Sequence, residues 1–229
     1  MSMMFATLSF PNIDPVLVEI GPFAIRWYAL AYIGGILLGW RYVLGLIKRP
    51  GAVMSPARLD DLILWLVLGI ILGGRLGYVL FYNAGYYAAH PLEIFQVWAG
   101  GMSFHGGILG VALAIIGFSL KHRLPMLAVG DLIACTSPIG LFLGRIANFI
   151  NGELFGRATD VPWAFVFPAG GPAPRHPSQL YEAGLEGVAL FILLWILFRY
   201  TRLIERHGAL AGIFLIGYSA SRAFIELFR

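Results

Sequence analysis

Charge is scarce in this sequence. Lys, Arg, Asp and Glu supply 12% of its 229 residues, and apolar types supply 59%. Soluble domains carry about 25% and about 45–50% respectively, so a soluble globular fold is excluded. Cysteine is nearly absent too. Cys135 stands alone inside an apolar run, so no intramolecular disulfide is available and its thiol is expected to be inert. The histidines, His90, His105, His122, His176 and His207, are scattered without ligand spacing, and no metal site or other cofactor is indicated. The first ten residues hold no Lys or Arg, which removes the basic start of a cleavable signal peptide. The formal charge of +4 is spread over short loops and does not point to nucleic acid. No internal duplication or low-complexity tract is visible, and an inverted-repeat transporter loses support for that reason.

What is there is apolar length. Six runs come near the ~20 residues that a membrane-spanning helix needs: Trp27–Leu46, Leu62–Leu80, Met102–Leu120, Leu127–Ile150, Leu180–Phe198 and Leu210–Phe228. The expected fold class is all-α and polytopic, one integral membrane domain over residues 1–229, with the first span retained as the insertion signal. Basic residues orient it. Lys48, Arg49, Arg58, Lys121, Arg123, Arg199, Arg202 and Arg206 fall on one side, against Arg26, Arg157, Arg175 and Arg229 on the other. This places the N-terminus outside. The leader Met1–Ile25, with Pro11, Pro15, Gly21 and Pro22, reads as short and broken.

Gly144 to Gly156 reads Gly-Arg-Ile-Ala-Asn-Phe-Ile-Asn-Gly-Glu-Leu-Phe-Gly and closes the fourth span. An arginine there costs about 2.5 to 3.5 kcal/mol at a helix centre, so Arg145 is expected to hold an anion. Snorkelling to the interface, or pairing that merely ties helices, is the plain alternative. Asn148 leaves the same helix face at i+3. The stretch resembles the signature of the bacterial prolipoprotein diacylglyceryl transferases, Gly-Arg-x-x-Asn-Phe-x-Asn-x-Glu-x-x-Gly, at every fixed position. Three further segments are similar to the same family: Ile20 to Tyr28, the His105-Gly-Gly segment, and Arg175-His-Pro-Ser-Gln-Leu-Tyr-Glu.

The resemblance implies the reaction. A cysteine thiol near the signal-peptide junction of a preprolipoprotein, its lipobox cysteine, attacks phosphatidylglycerol. A thioether forms and glycerol phosphate leaves, in the inner membrane of a bacterium and at its outer leaflet. The resemblance also promotes Tyr28 and His105 from belt and structural residues to functional ones. Arg145 and Arg222 are assigned to the phosphodiester, with Arg75 beside them. Asn148, Glu153 and Gly156 belong to the headgroup site, His105 takes the thiol proton, and Tyr28 orients a hydroxyl or the thiol. Members of the family usually carry a seventh span after Phe-Arg, which this sequence lacks.

Several residues have simpler expected roles. Asp60 and Asp61 would cap the second span, Asp131 would cap or pair at the fourth, and Ser178 would cap the fifth. Pro138 would kink its helix. Glu182 and Glu186, at i and i+4, would pair with intramembrane arginines, and Arg222 with Glu226 would form an intrahelical pair. Glycines four apart (Gly35/Gly39, Gly69/Gly73/Gly77, Gly106/Gly110, Gly140/Gly144) would bring helices close. Val161, Trp163, Phe165 and Phe167 alternate like a strand in a small outer lobe. The Lys- and Arg-free loop Phe81–Gly100 would lie on the membrane surface. Counting along the spans puts Arg75, Arg145, Arg222, Tyr28 and His105 at similar depth near the outer face. That layout suits a lipid headgroup better than the competing function, a small anionic-lipid transporter or flippase.

Overall fold

The computed structural model describes residues 8–11, 13–21, 23–49 and 51–229. Among them, six helices are long and apolar enough to cross a membrane. They are α1 (Trp27–Leu46), α2 (Pro56–Phe81), α4 (Phe104–His122), α5 (Met126–Ile150), α6 (Ser178–Tyr200) and α7 (Ala209–Phe228), with the short α3 (Ala84–Ala89) after α2. Large apolar side chains such as Leu37, Leu64, Leu113 and Ile216 are exposed on them. In water such surface would drive association, whereas a bilayer solvates it. The protein is a multi-pass membrane protein.

The chain forms two compact units. One comprises residues up to Val43 together with Asp131–Arg229, and the other is Leu44–Gly130. In the second unit α2 packs on α4 through glycines. A Cβ on Gly77 would sit 2.7 Å from Gly106 Cα, and one on Gly69 would sit 2.6 Å from the Gly110 carbonyl oxygen. Only hydrogen fits there, so these glycines bring the two backbones together as expected. Ser55 caps α2 ahead of Pro56, its hydroxyl accepting from Arg58 N–H. The helix therefore begins before the apolar run does, and Asp60 and Asp61 fall beyond its first turn. They are not its cap.

In the first unit a Cβ on Gly35 would lie 3.2 Å from Gly140 Cα, and one on Gly39 would lie 2.7 Å from Thr136 Oγ1. Gly144 differs from the expectation, because a Cβ there would meet nothing within 4 Å. The leader contributes more than a broken tail. Strands β2 (Val16–Ile20) and β3 (Phe23–Arg26) form an antiparallel hairpin leading into α1. The first seven residues and Pro22 lie outside the described residues. Strand β1 (Leu8–Ser9) pairs in parallel with β4 (Phe165–Val166). The alternating aromatic strand thus shrinks to two residues. The Ala164 N–H donates to the Val161 carbonyl and turns the chain just before it.

Asp131 lies one turn inside α5 and is fully buried. Its carboxylate accepts from Gly208 N–H (2.7 Å) and Ala211 N–H (2.8 Å), capping the N-terminus of α7 from a neighbouring helix. Gly208 has φ +92°, a left-handed turn that exposes these donors. Asp131→Ala strands both N–H groups in apolar surroundings. It should lower stability by about 1–3 kcal/mol, with Asp131→Asn losing less; thermal unfolding in detergent reads the difference.

Candidate functional site

The charges of the first unit gather on one carboxylate. Glu182, in the first turns of α6, is fully buried and faces three guanidinium groups. Arg145 Nη1 lies 3.0 Å from Glu182 Oε2, and Arg229 Nη1 lies 3.4 Å from Oε1. Arg222 Nη1 donates to the same Oε1. Arg145 Nη2 reaches the equally buried Glu186 at 3.3 Å, and Arg222 Nη2 reaches Glu226 at 3.0 Å. Three helices, α5, α6 and α7, therefore meet at a network of arginines and glutamates. The expected pairing of Glu182 and Glu186 with intramembrane arginines is present, as is the Arg222–Glu226 pair.

Glu182 and Glu186, four apart, share one helix face and so reach one arginine. Residues Ala183–Ala189 form a π-helical segment inside α6. Its i→i+5 bonding widens the turn and changes which side chains stack. Such segments cost hydrogen-bond quality and recur at functional sites. Each of Arg145 and Arg222 engages its glutamates through its two Nη atoms, leaving part of its donor set unspent. Their side chains remain 16% and 29% exposed, whereas Glu182 and Glu186 have none. The carboxylates form the floor and the guanidinium groups the accessible face. That is an arrangement for meeting an anion.

One turn along α5, Asn148 and Asn151 donate through Nδ2 to Glu153 Oε1 at 2.9 and 3.1 Å. Tyr28, in the first turn of α1, packs its ring on Tyr32 (centroids 5.2 Å) and lies beside Asn148. Tyr28, Asn148 and Glu153 thus form a second polar group. Gly152 (φ +65°) and Leu154 (φ +58°) turn the chain out of the helix. A left-handed leucine is strained, and its neighbours hold it. Gln179 Nε2 donates to the Glu153 carbonyl (2.5 Å), and Ser178 Oγ donates to the Leu154 carbonyl (2.9 Å). Ser178 is therefore not the cap of α6. Pro177 occupies that position, and the serine ties the α5 exit to α6.

Gly156 has a packing reason to be glycine. Its N–H donates to the His176 carbonyl (2.9 Å), and a Cβ would collide with the Phe228 carbonyl and approach His176 Cβ to 2.9 Å. Beside it the loop grips the end of α7. Arg157 N–H donates to the Phe228 carbonyl (3.0 Å), and its side chain donates to the carbonyls of Glu226 and Arg229. A trio not singled out by sequence lies here: Trp163 Nε1–H donates to the Tyr181 hydroxyl (2.7 Å), which sits 3.0 Å from His176 Nδ1. Burial, then the nearby Arg157 charge, lowers the His176 pKa, so the imidazole stays neutral more readily than in water.

Arg75 and His105 belong to the second unit. Arg75 is 4% exposed, and backbone carbonyls take its donors: Ile94 (2.8 Å), Gly100 (2.6 Å), Gly101 (3.2 Å) and Glu93 (2.5 Å). Its guanidinium also lies over the Tyr87 ring at 5.0 Å. These bonds give it a structural task, stitching the α2–α4 connection to α2. His105 is exposed in the first turn of α4, just after Ser103, whose hydroxyl caps the helix at Gly106 N–H. Only short-range sequence signals could have exposed Arg75's role, and it has none.

The fold and the arginine–glutamate network define an integral membrane protein with a charge centre among three of its helices. Residues 15–229 match the family described as prolipoprotein diacylglyceryl transferase. The chain belongs to that family. It is 60% identical over 228 residues to the phosphatidylglycerol–prolipoprotein diacylglyceryl transferase of Paramagnetospirillum magneticum, covering 99% of this chain and 84% of the relative. To the protein of the same name from Rhodospirillum rubrum it is 63% identical over 229 residues, covering 99% and 83%. The one from Rhodopseudomonas palustris is 55% identical over 234 residues, with 99% and 82% covered.

Proposed function

We infer that this chain transfers the diacylglyceryl group of phosphatidylglycerol to a cysteine thiol of a prolipoprotein, the first step of lipoprotein maturation. The sulfur–carbon bond forms at the glyceryl carbon attached to the phosphate oxygen. That carbon–oxygen bond breaks, glycerol phosphate departs, and the thiol proton passes to a base. The observation that carries the reading onto these residues is Glu182 holding Arg145 and Arg222 together with their guanidinium edges exposed. Arginine's planar fork matches phosphate oxygens and keeps its charge at any working pH. Anchored on buried carboxylates, it is already positioned when charge develops on the leaving phosphate, and such preorganisation is where rate is gained.

In this reading residues 1–229 act as one integral membrane transferase domain in the bacterial inner membrane, N-terminus outside and site toward the outer leaflet. The acceptor is the lipobox cysteine at the signal-peptide junction. Tyr28, Asn148 and Glu153 position headgroup or thiol, and Gly156 shapes the site by letting the α7 end approach. Arg75 serves by holding the 93–101 backbone. The exposed Leu92, Phe95 and Trp98 of that connection rest on the membrane surface.

The test is direct. Purified protein is given phosphatidylglycerol and a lipobox peptide, and mass spectrometry looks for a diacylglyceryl adduct on cysteine together with free glycerol phosphate. Lipid movement without an adduct would replace the reading with a transporter. For the proton, His105 is the side chain of suitable intrinsic acidity. His105→Gln should lower the rate by about 10²–10⁴-fold, the usual contribution of a positioned base. A near-normal rate would leave His105 structural.

A further inference from the structure

Below the charge centre the same two helices open an apolar groove. Its walls are Pro138, Ile139 and Phe142 from α5 and Gly187, Val188 and Phe191 from α6. None of these side chains is polar. Phe142 lies one turn before Arg145, and Pro138 a further turn away, so this wall sits roughly 4–10 Å along α5 from the arginine. On α6 the order is reversed: Gly187 follows Glu186 directly, and Phe191 comes one turn later. The connection between the two helices, residues 151–177, lies at the opposite end. Both helices therefore place the groove on the same side of the charges, deeper in the span.

Gly187 lets the walls meet. A Cβ built on it would lie 2.7 Å from Phe142 Cβ and 3.0 Å from Phe142 Cα, so the close approach of α6 to α5 depends on its lack of a side chain. Val188, next to it, is 46% exposed. Charge and groove share one π-helical segment, because Glu186, Gly187 and Val188 all fall within Ala183–Ala189.

We propose that this groove receives an acyl chain of the phospholipid donor while Arg145 and Arg222 hold its phosphate, so that Ile139, Val188 and Phe191 set which chain lengths are used. The proposal rests on the transferase reading and deepens it. A phospholipid is polar at one end, and its chains begin a few bonds from the phosphate. The polar-to-apolar order along α5 and α6 has the same polarity. An acyl chain in the groove covers apolar surface and adds binding in proportion to its methylenes. It also fixes the glyceryl carbon relative to the arginines, and binding energy remote from the reacting bond is useful in this way.

The experiment uses the unmodified full chain and a phosphatidylglycerol with a photoreactive diazirine in one acyl chain. After illumination, labelled peptides are mapped by mass spectrometry, and thioether formation is measured on the same preparation. The expected result is labelling within residues 138–142 and 187–191, suppressed by excess unlabelled phosphatidylglycerol and not by phosphatidylcholine. Labelling confined to other segments overturns the groove. Labelling displaced equally by both lipids also overturns it, since surrounding bilayer lipid alone would do that. Absence of thioether product would sink the transferase reading itself, a result distinct from product formation with labels elsewhere. A second measurement is the donor chain-length series. Val188→Trp, which narrows the groove, should lower kcat/KM for long-chain donors about tenfold more than for short-chain donors, the effect of about two lost methylene contacts. An unchanged ratio contradicts the assignment.

Discussion

Arg145→Ala should cut the rate of thioether formation by about a hundredfold or more, the usual result of deleting one preorganised donor at a developing anion. Arg145→Lys should recover little, because an ammonium keeps the charge but not the fork that spans Glu182, Glu186 and a phosphate. Deleting the guanidinium also leaves two buried carboxylates short of a partner, so loss of activity alone would be ambiguous. The pair Arg145→Ala with Glu186→Gln resolves this. Its expected outcome is partial recovery of thermal stability without recovery of rate. A variant that regained both would make Arg145 a structural tie between α5 and α6.

Glu182→Gln carries the second large effect. One oxygen of Glu182 serves Arg222 and Arg229, and the other faces Arg145. Its burial is complete, so those cations lose a fixed counter-charge held in place by the protein. Removing one partner of a buried pair typically costs about 3–5 kcal/mol. The lower end is expected here, because the arginine side chains keep some contact with solvent. Denaturant titration in mixed micelles measures that loss, and the transfer assay should fall with it as the two arginines separate. Unchanged stability would mean that the arginines draw their fixed positions from elsewhere.

Much of this arrangement was legible along the chain. Lipid leaves the backbone few options, so runs of apolar residues near helix-spanning length translate directly into helices. The cost of buried charge likewise points Glu182 and Glu186 to intramembrane arginines, without saying that Arg145 is one of them. Boundaries were less legible, because capping is a matter of backbone donors. Ser55 starts α2 ahead of its apolar run, and Asp131 spends its carboxylate on another helix altogether. Pairings distant in sequence were invisible for the same reason. Nothing near Gly156 announces Phe228, and nothing near Arg75 announces the carbonyls of residues 93–101. The π-helical segment has no signature in Ala-Gly-Leu-Glu-Gly-Val-Ala.

Helix α7, the sixth span, is gripped at both extremities, by the Asp131 carboxylate around Gly208 and by the Arg157 donors around Phe228. Its length and phase are thereby fixed like a rod set between two stops. One residue added between Ala211 and Arg222 would swing the guanidinium about 100° around the axis and away from Glu182. Divergent sequences that keep both grips should therefore vary the composition of that interval freely while preserving its residue count.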